Sequence, residues 1–384
     1  MQMDRASVFL FAALFLTGCD RGPSRGEAGV RISGDSVVMT EPDADGLFMP
    51  LRAQVRLSDG RLLVDIGTAI DYFDASGRFV RRIGRAGNGP GEFQRISTIL
   101  ALPGDSLFAA VDARRARIIV FETASGALRR EVVVRPFFPG QQWRWYGDTV
   151  VMPSKLSLAP FTSWIPSTDS VWTWGAVPEI FTKSMSAYSQ GGEPSIVRRG
   201  AGWLAVYPGD GRVFELSADG ALQRAIEIPV THRRGVPPGL ADSVAAIQAS
   251  GVFRYAASLV FAISELPNGN YALVHMDTDP NLNADAYAAS NGASGITYEN
   301  TNYWVTFLSK DLSRACPDAR VPFEPDNLIV PYFRADSVYF LTRSVATDTT
   351  VNAVLHRFQL DDSKCGWVKT TIEPVARRSS TDSK

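Results

Sequence analysis

Short apolar segments alternate with tight polar turns along most of the chain. Residues 53–67, AQVRLSDGRLLVDIG, alternate apolar and polar positions on both sides of an Asp-Gly pair. Residues 69–84, AIDYFDASGRFVRRIG, repeat this alternation around Ser-Gly. Alternation on both sides of a glycine-containing turn predicts a β-hairpin. Two such hairpins in series predict a four-stranded antiparallel meander.

The meander recurs at a regular interval. The second hairpin is found again in five later segments: residues 118–134, 161–177, 212–228, 303–321 and 354–369. At its turn, Gly77 and Gly126 are 49 residues apart, and Gly126 and Gly220 are separated by two units of 47. This period, with four strands per unit, is typical of a β-propeller blade. We therefore predict an all-β, six-bladed propeller over residues 29–370; a pair of β-sandwiches, the alternative, would not require the period.

Both ends of the predicted propeller lie outside the repeat. The strand-like segment 29–41, GVRISGDSVVMTE, is not part of any of the six copies. Because a ring of blades must be closed, we expect this strand to complete the last blade. Residues 371–384 show no alternation, and we predict a disordered tail there.

A glycine-rich segment, residues 81–97 (RRIGRAGNGPGEFQRIS), follows the fourth predicted strand of blade one. A phosphate-binding loop would be followed by a helix whose N-terminus faces the anion. Here the pattern after Phe93 predicts a strand instead. We interpret the segment as a structural turn, in which the glycines allow positive φ, Pro90 stiffens the chain and Phe93 packs between blades.

This part of the chain also resembles a known repeat. Residues 72–126 resemble the NHL-repeat propeller consensus, with a Gly-x-Gly-x-Gly-Pro-Gly-x-Phe crossover, a strand that ends in Asp, and an arginine-containing stretch. Blades one and two carry the signature, and the other four keep only the strand pattern. The chain is similar to six-bladed bacterial lipoproteins of this kind. The resemblance implies a fold and does not specify an activity.

The N-terminus has the pattern of an export signal. Residues 6–16, ASVFLFAALFL, are too short to span a bilayer and match the apolar core of a signal peptide. The sequence Leu16-Thr17-Gly18-Cys19 then resembles a lipobox, so we expect a signal peptide over 1–19, a lipid on Cys19 and a flexible tether over 20–28. An ordinary signal peptide that contains a cysteine is the alternative. The predicted location is the cell envelope, on the periplasmic side of a bacterial membrane or at the cell surface, with the lipid as the only membrane contact.

Export would place the remaining two cysteines in an oxidising compartment. A disulfide between Cys316 and Cys365 would close a loop of about fifty residues and stabilise the fold by roughly 3–4 kcal/mol. Two free, buried thiols are the alternative.

Long loops occur in only two of the four loop classes. They join second to third strands or join successive blades: residues 153–160, 178–194, 231–256 and 276–300. In a propeller these two classes open on one face, which we call the insertion face; the short turns form the opposite turn face. We expect function on the insertion face, and a helix within residues 237–250, between blades four and five.

The candidate chemistry is sparse. The chain is 45% hydrophobic and 21% charged with a net charge of −1, which does not favour a nucleic-acid partner. Its three histidines lie in different blades or loops, and no G-x-S-x-G nucleophile motif occurs. Trp143, Trp145, Tyr146 and Trp164 alternate in blade three in the manner of propeller core. We predict no catalytic residue.

Carboxylates at strand ends offer the main alternative. Asp65 and Asp112 end the second strands of blades one and two, and six-bladed lactonases hold calcium in the channel with such groups. A calcium-dependent hydrolase is therefore the second hypothesis, and capping of the strand–strand turn is the competing interpretation. We favour a scaffold without a cofactor that binds a protein, peptide or glycan. The residues predicted to bind ligand are Asp65, Asp112, Arg114, Arg115, Arg233, His275 and Asp277.

Overall fold

The computed structural model describes residues 31–39, 54–134, 143–153, 158–183, 193–208, 210–229, 259–278, 301–322, 331–347 and 350–375. These residues form six antiparallel sheets, and each contains a four-stranded meander or its equivalent. The first strands of all six sheets line one common cavity, so the sheets are arranged as blades around an axis. The predicted all-β, six-bladed propeller is confirmed.

The strands follow the predicted repeat. The N-terminal strand is β1 (Arg31–Met39). Blade one contains β2 (Gln54–Arg56), β3 (Leu62–Asp65), β4 (Ile70–Phe73) and β5 (Phe79–Ile83). Blade two contains β6 (Ile96–Ala101), β7 (Leu107–Asp112), β8 (Arg117–Glu122) and β9 (Leu128–Val133). Blade three contains β10 (Arg144–Tyr146), β11 (Thr149–Pro153), β12 (Phe161–Ile165) and β13 (Ser170–Trp174). It is followed by the short helix α1 (Glu179–Lys183).

The second half of the ring contains the remaining strands. Blade four contains β14 (Ser195–Arg199), β15 (Gly202–Val206), β16 (Arg212–Leu216) and β17 (Leu222–Glu227). Blade five contains β18 (Leu259–Glu265), β19 (Tyr271–Thr278), β20 (Thr301–Leu308) and β21 (Arg314–Arg320). Blade six contains β22 (Tyr332–Arg334), β23 (Ser337–Thr347) and β24 (Thr350–Asp361). Two last strands, β25 (Val368–Lys369) and β26 (Thr371–Pro374), follow.

Burial explains why the apolar pattern differs along a blade. The second strand β7 is buried at nearly every position, because both faces of the sheet are covered by neighbouring blades. The outer strand β5 alternates between exposed and half-buried positions until its last residue. Continuous apolar runs are therefore typical of inner strands and alternation of outer ones.

The N-terminal strand closes the ring, as expected. β1 pairs with β24 along its whole length, with Val38 opposite Val354, and forms the outer strand of blade six. On its other side it approaches Gly77, a glycine with positive φ in blade one; a Cβ there would collide with the Val38 carbonyl. The last blade is therefore built from both ends of the chain and meets the first blade directly.

Two predictions about the C-terminus are wrong. In the predicted hairpin 354–369, the first half is the third strand of blade six, as part of β24, but the second half is not its fourth strand: β1 occupies that place and β25 pairs with β21 of blade five. Residues 371–374 are not tail, because β26 pairs with β17 of blade four. All four residues of β26 are exposed. The strand therefore lacks a buried face, and no apolar pattern marks it.

A disulfide fastens this C-terminal segment. Cys316 in β21 is bonded to Cys365, which lies between β24 and β25, with their Cα atoms 5.5 Å apart. Cys316 lies in the core shared by blades five and six, and Cys365 and Trp367 pack against that core. The bond therefore fixes the chain as it passes from blade six to blade five.

The glycine-rich crossover, residues 84–93, is a turn whose amides are used internally. Gly89 N–H donates to Glu92 at 2.7 Å, and Gly91 N–H donates to Glu131 of blade two at 2.9 Å. Phe93 is fully buried in the core between blades one and two. β6 follows, with no helix between. The structure supports the interpretation of a structural turn.

Several predictions lie outside the described residues. They are the signal peptide and Cys19, the tether 20–28, and the helix within 237–250. Among the described residues, no helix is long and apolar enough to cross a membrane.

Removal of the disulfide should destabilise the fold. We expect the double substitution Cys316→Ala/Cys365→Ala to lower the free energy of unfolding by about 3–4 kcal/mol, because a crosslink across 49 residues restricts the unfolded chain. Denaturant titration monitored by tryptophan fluorescence measures this. A reducing agent should destabilise the wild type similarly and leave the variant unchanged; an equal midpoint for variant and wild type would contradict the prediction.

Gly84 should tolerate alanine less well than another glycine of similar φ. Gly84 (φ 74°) and Gly104 (φ 80°) share the left-handed conformation, which costs alanine about 1–2 kcal/mol. A Cβ at Gly84 would lie 2.5 Å from Cε2 of buried Phe93, whereas one at Gly104 meets nothing within 4 Å. We expect Gly84→Ala to cost about 1–3 kcal/mol more than Gly104→Ala in thermal unfolding. Equal losses would show that the Phe93 contact is unimportant.

Candidate functional site

The carboxylate of Asp112 caps a turn. It is fully buried at the end of β7 and accepts backbone N–H bonds from Gln94 at 2.8 Å, Arg95 at 3.3 Å, Arg114 at 3.1 Å and Arg115 at 3.3 Å. These donors surround both oxygens. The contacts match turn capping, which was the competing interpretation of this residue.

Asp65 and the two blade-two arginines take similar structural roles. Asp65 is buried at the end of β3 and accepts the N–H of Gly67 at 2.5 Å. Arg115 donates Nη1 to the carbonyls of Gly89 and Glu92, both at 3.3 Å, and so holds the crossover against blade two. The side chain of Arg114 is exposed.

The blade-five candidates lie apart from these residues. His275 is fully buried in β19, with Nε2 3.5 Å from an oxygen of Asp318, and Asp318 accepts a hydrogen bond from Thr306 at 2.7 Å. Asp277 is opposite Asn302 in the sheet register, and Arg233 lies outside the described residues. The seven predicted ligand-binding residues are not brought together into one described site. In the described part of the chain, no group of three or more His, Cys, Asp and Glu side chains is placed to hold a metal ion.

The structure instead shows a cavity on the propeller axis. This channel cavity has a volume of about 530 Å³ and is lined by the first strands of all six blades. It includes the turn of blade two, Pro103, Gly104 and Asp105. Because first-to-second-strand turns lie on the turn face, the cavity is at that end of the channel, opposite the insertion face.

Arginines and aromatic rings dominate its chemistry. The arginines are Arg56, Arg144 and Arg334, and the large rings are Trp143, Trp145, Tyr146, Tyr332 and Phe333. Asp105 and Glu265 are the acidic lining residues. Asp105 accepts the Ser58 N–H and lies 4.0 Å from Nη2 of Arg334.

Arg144 and Arg56, unlike Arg334, form no ion pair with a described carboxylate. The guanidinium of Arg144 lies 5.9 Å from the ring centroid of Phe333 and donates to the side chain of Tyr146. Burial lowers the pKa of Arg144, although an arginine stays charged at neutral pH. A cation that is poorly hydrated and lacks an acidic partner favours the approach of an anion.

The neighbouring aromatic groups are fixed in place. The hydroxyl of Tyr146 donates to the Ile196 carbonyl at 2.8 Å, and burial raises the pKa of Tyr146. Trp145 donates its indole N–H to the Ala101 carbonyl at 3.0 Å. Tyr332 stacks on Tyr339 with ring centroids 4.8 Å apart, and burial raises its pKa. The cavity wall is therefore preorganised, and its tyrosines stay neutral at physiological pH.

The sequence pattern did not indicate the channel arginines. Arg56 and Arg334 are each the last residue of a first strand, whereas Arg144 lies two residues before the end of the first strand of blade three. Aligned on the turns that follow them, the first strands of blades one, four and six all end in arginine (Arg56, Arg199 and Arg334), which is a signal for that position; Arg144 has no such signal. Trp143 and Trp164 are core, as predicted, and Trp143, Trp145 and Tyr146 also line the cavity.

Comparisons with known proteins agree with this architecture. A family model described as a 6-bladed beta-propeller, DUF5128, matches residues 50–146, which contain blades one and two and β10. A protein of Bacteroides fragilis described as exported is 14% identical with a TM-score of 0.55, over 86% of this chain and 95% of that chain. A DUF4221 family member from Bacteroides vulgatus is 11% identical with a TM-score of 0.57, over 86% and 98%. No curated protein matches the chain. At these identities the similarity shows the fold alone: the chain is a six-bladed β-propeller.

Proposed function

We propose that the protein is a non-enzymatic recognition propeller of the bacterial cell envelope, anchored by a lipid on Cys19. Its channel cavity would bind a small ligand that carries an anionic group, such as a carboxylate, phosphate or sulfate. The apolar part of that ligand would lie against the aromatic wall. This proposal moves the binding site from the insertion face, where the sequence led us to expect it, to the axis at the turn face.

Arg144 is the observation that carries the ligand proposal. A cavity of about 530 Å³ falls within the usual size of small-molecule sites, roughly 300–1,000 Å³. Its walls are rich in aromatic rings, and the half-buried guanidinium of Arg144, which has no described acidic partner, borders the cavity. Arginine binds planar anions in a bidentate manner. Arg56 and Arg334 line the same cavity and would strengthen the attraction for a negative charge.

The envelope location rests on the N-terminal sequence and on one structural feature. The lipobox-like segment ending at Cys19 predicts export and lipidation, and the disulfide Cys316–Cys365 fits an oxidising compartment. The exported Bacteroides fragilis protein has a similar fold. The loops of the insertion face remain available in this proposal for a protein, peptide or glycan partner.

Substitution of Arg144 should weaken anion binding without loss of stability. We would titrate the purified protein with benzoate, phenyl phosphate and uncharged benzamide and follow binding by calorimetry. We expect the two anions to bind more tightly than benzamide, and Arg144→Gln to reduce their affinity by about 10- to 100-fold, the range for a charge-assisted hydrogen bond. Arg114→Gln, which removes an exposed guanidinium, is the matched control and should change affinity little.

The melting temperature separates a binding role from a structural one. Without ligand, Arg144→Gln should melt at or near the wild-type temperature, because a half-buried cation without an acidic partner adds little to the stability of the fold. A large drop in melting temperature, or equal binding of benzamide and benzoate, would refute the channel proposal.

Lipid attachment can be tested separately. Cells that express the protein and are fed labelled palmitate should incorporate label into the wild type and not into Cys19→Ser. Thr17→Ser, which keeps a small residue before the cysteine, should remain labelled. Label retained in Cys19→Ser would show that Cys19 is not the lipidated residue.

A further inference from the structure

A second cavity lies between blades three and four, away from the axis. It has a volume of about 720 Å³, and we call it the tryptophan groove. Three tryptophans line it: Trp172 and Trp174 of β13 and Trp203 of β15. The turn residues Gly147 and Asp219 place its opening at the turn face.

The aromatic rings of the groove form a connected surface. The ring centroids of Trp174 and Trp203 are 5.0 Å apart, and those of Tyr146 and Trp203 are 4.9 Å apart. Trp172 lies at the outer side and is 44% exposed. Trp174 is half-buried and Trp203 is buried, so Trp172 is the most solvent-accessible of the three tryptophans. A large exposed aromatic side chain at the mouth of a cavity is typical of a binding surface.

The polar atoms of the buried rings are already used. Trp174 donates its indole N–H to Ser163 Oγ at 2.8 Å, Trp203 donates to the Ala218 carbonyl at 3.3 Å, and Tyr146 donates to the Ile196 carbonyl. The indole N–H groups of Trp174 and Trp203 are therefore not available to a ligand. Their faces are largely covered as well, by Phe161, by Arg198 and by each other. Trp172 is the ring on which an occupant with a flat C–H surface can stack.

The charges of the groove are balanced. Arg198 and Asp219 are its charged lining residues, and Thr149 and Ser163 add hydroxyl groups. The guanidinium of Arg198 lies over Trp203, with Cζ 4.4 Å from the ring centroid, and its Nε donates to the Gly200 carbonyl at 3.2 Å. Arginine has five N–H donors, so donors remain at the rim. One charge of each sign gives the groove no net preference for a cationic or an anionic ligand, which fits a neutral one.

We propose that the tryptophan groove binds a neutral oligosaccharide. A pyranose ring has a flat C–H face that can stack on an indole and a rim of hydroxyl groups that both donate and accept hydrogen bonds. The groove provides the matching parts: the exposed ring of Trp172 for stacking, and a polar border that includes Arg198, Asp219 and Thr149. This site is separate from the channel cavity, and Tyr146 lines both.

The experiment uses neutral tetrasaccharides and one peptide. We would titrate the purified protein with cellotetraose, maltotetraose, chitotetraose and an alternating Val-Thr heptapeptide, and follow tryptophan fluorescence and heat. We expect at least one tetrasaccharide to bind and to change the fluorescence. Trp172→Ala should weaken that binding about tenfold or more, whereas Trp172→Phe, which keeps a flat ring, should weaken it by about threefold or less.

Two controls make the outcome specific. Leu128→Ala removes another exposed apolar side chain, in blade two, and should leave sugar binding unchanged; Leu128 is 37% exposed. Trp172 does not line the channel cavity, so Trp172→Ala should leave the binding of benzoate and phenyl phosphate unchanged; failure of the channel proposal and failure of this one can therefore be told apart. Absence of binding to all three sugars, sugar binding that survives Trp172→Ala, or Trp172-dependent binding of the peptide alone would overturn the proposal.

Discussion

The structure depends on closing the ring. A propeller blade cannot bury both of its faces alone, so each blade is stable only between two neighbours. The decisive contact is the pairing of β1 with β24, which joins residues from opposite ends of the chain along nine register positions. Without it blade six would lack its outer strand, and Gly77 of blade one would lose its contact with Val38. The disulfide and β25 and β26 add to this closure, because they hold the C-terminal segment across blades five and four.

Closure requires tight turns, and tight turns leave backbone amides that need acceptors. Carboxylates supply them here: Asp112 accepts four amides, and Glu92 and Glu131 accept those of the crossover. This explains why aspartates at strand ends, which suggested calcium ligands, have a structural use. It also gives a criterion for finding function. A half-buried cation that borders a cavity and has no described carboxylate partner, such as Arg144, is a better indicator of a ligand than a conspicuous motif.

The sequence predicted the features that repeat and missed those that do not. Periodic alternation identified six blades, and the leftover segment at residues 29–41 identified the closing strand. The periodic alternation did not reveal the pairing of β25 and β26 with blades five and four. An exposed strand on the edge of a blade has no buried face, and therefore no apolar period. The channel arginines were missed for another reason. The first strands of successive blades are far apart in the chain. Only the arrangement of the blades around an axis brings Arg56, Arg144 and Arg334 to one cavity.

The two residues on which the binding proposals chiefly rest, Arg144 and Trp172, lie in blade three, outside the blades that carry the repeat signature. In blade two, Glu131 is opposite Ile119 of β8, accepts the amide of Gly91 and pairs with Arg117 at 2.5 Å. The two blades can be aligned on their positive-φ turn residues, Gly126 and Asp169. Thr162 is then equivalent to Ile119, and the residue opposite it is Thr173. Blade two therefore uses a carboxylate to support its crossover, and blade three has none at that position. The tryptophan groove and Arg144 both belong to blade three, so the departure from the repeat is itself the reason to look for binding at that part of the ring.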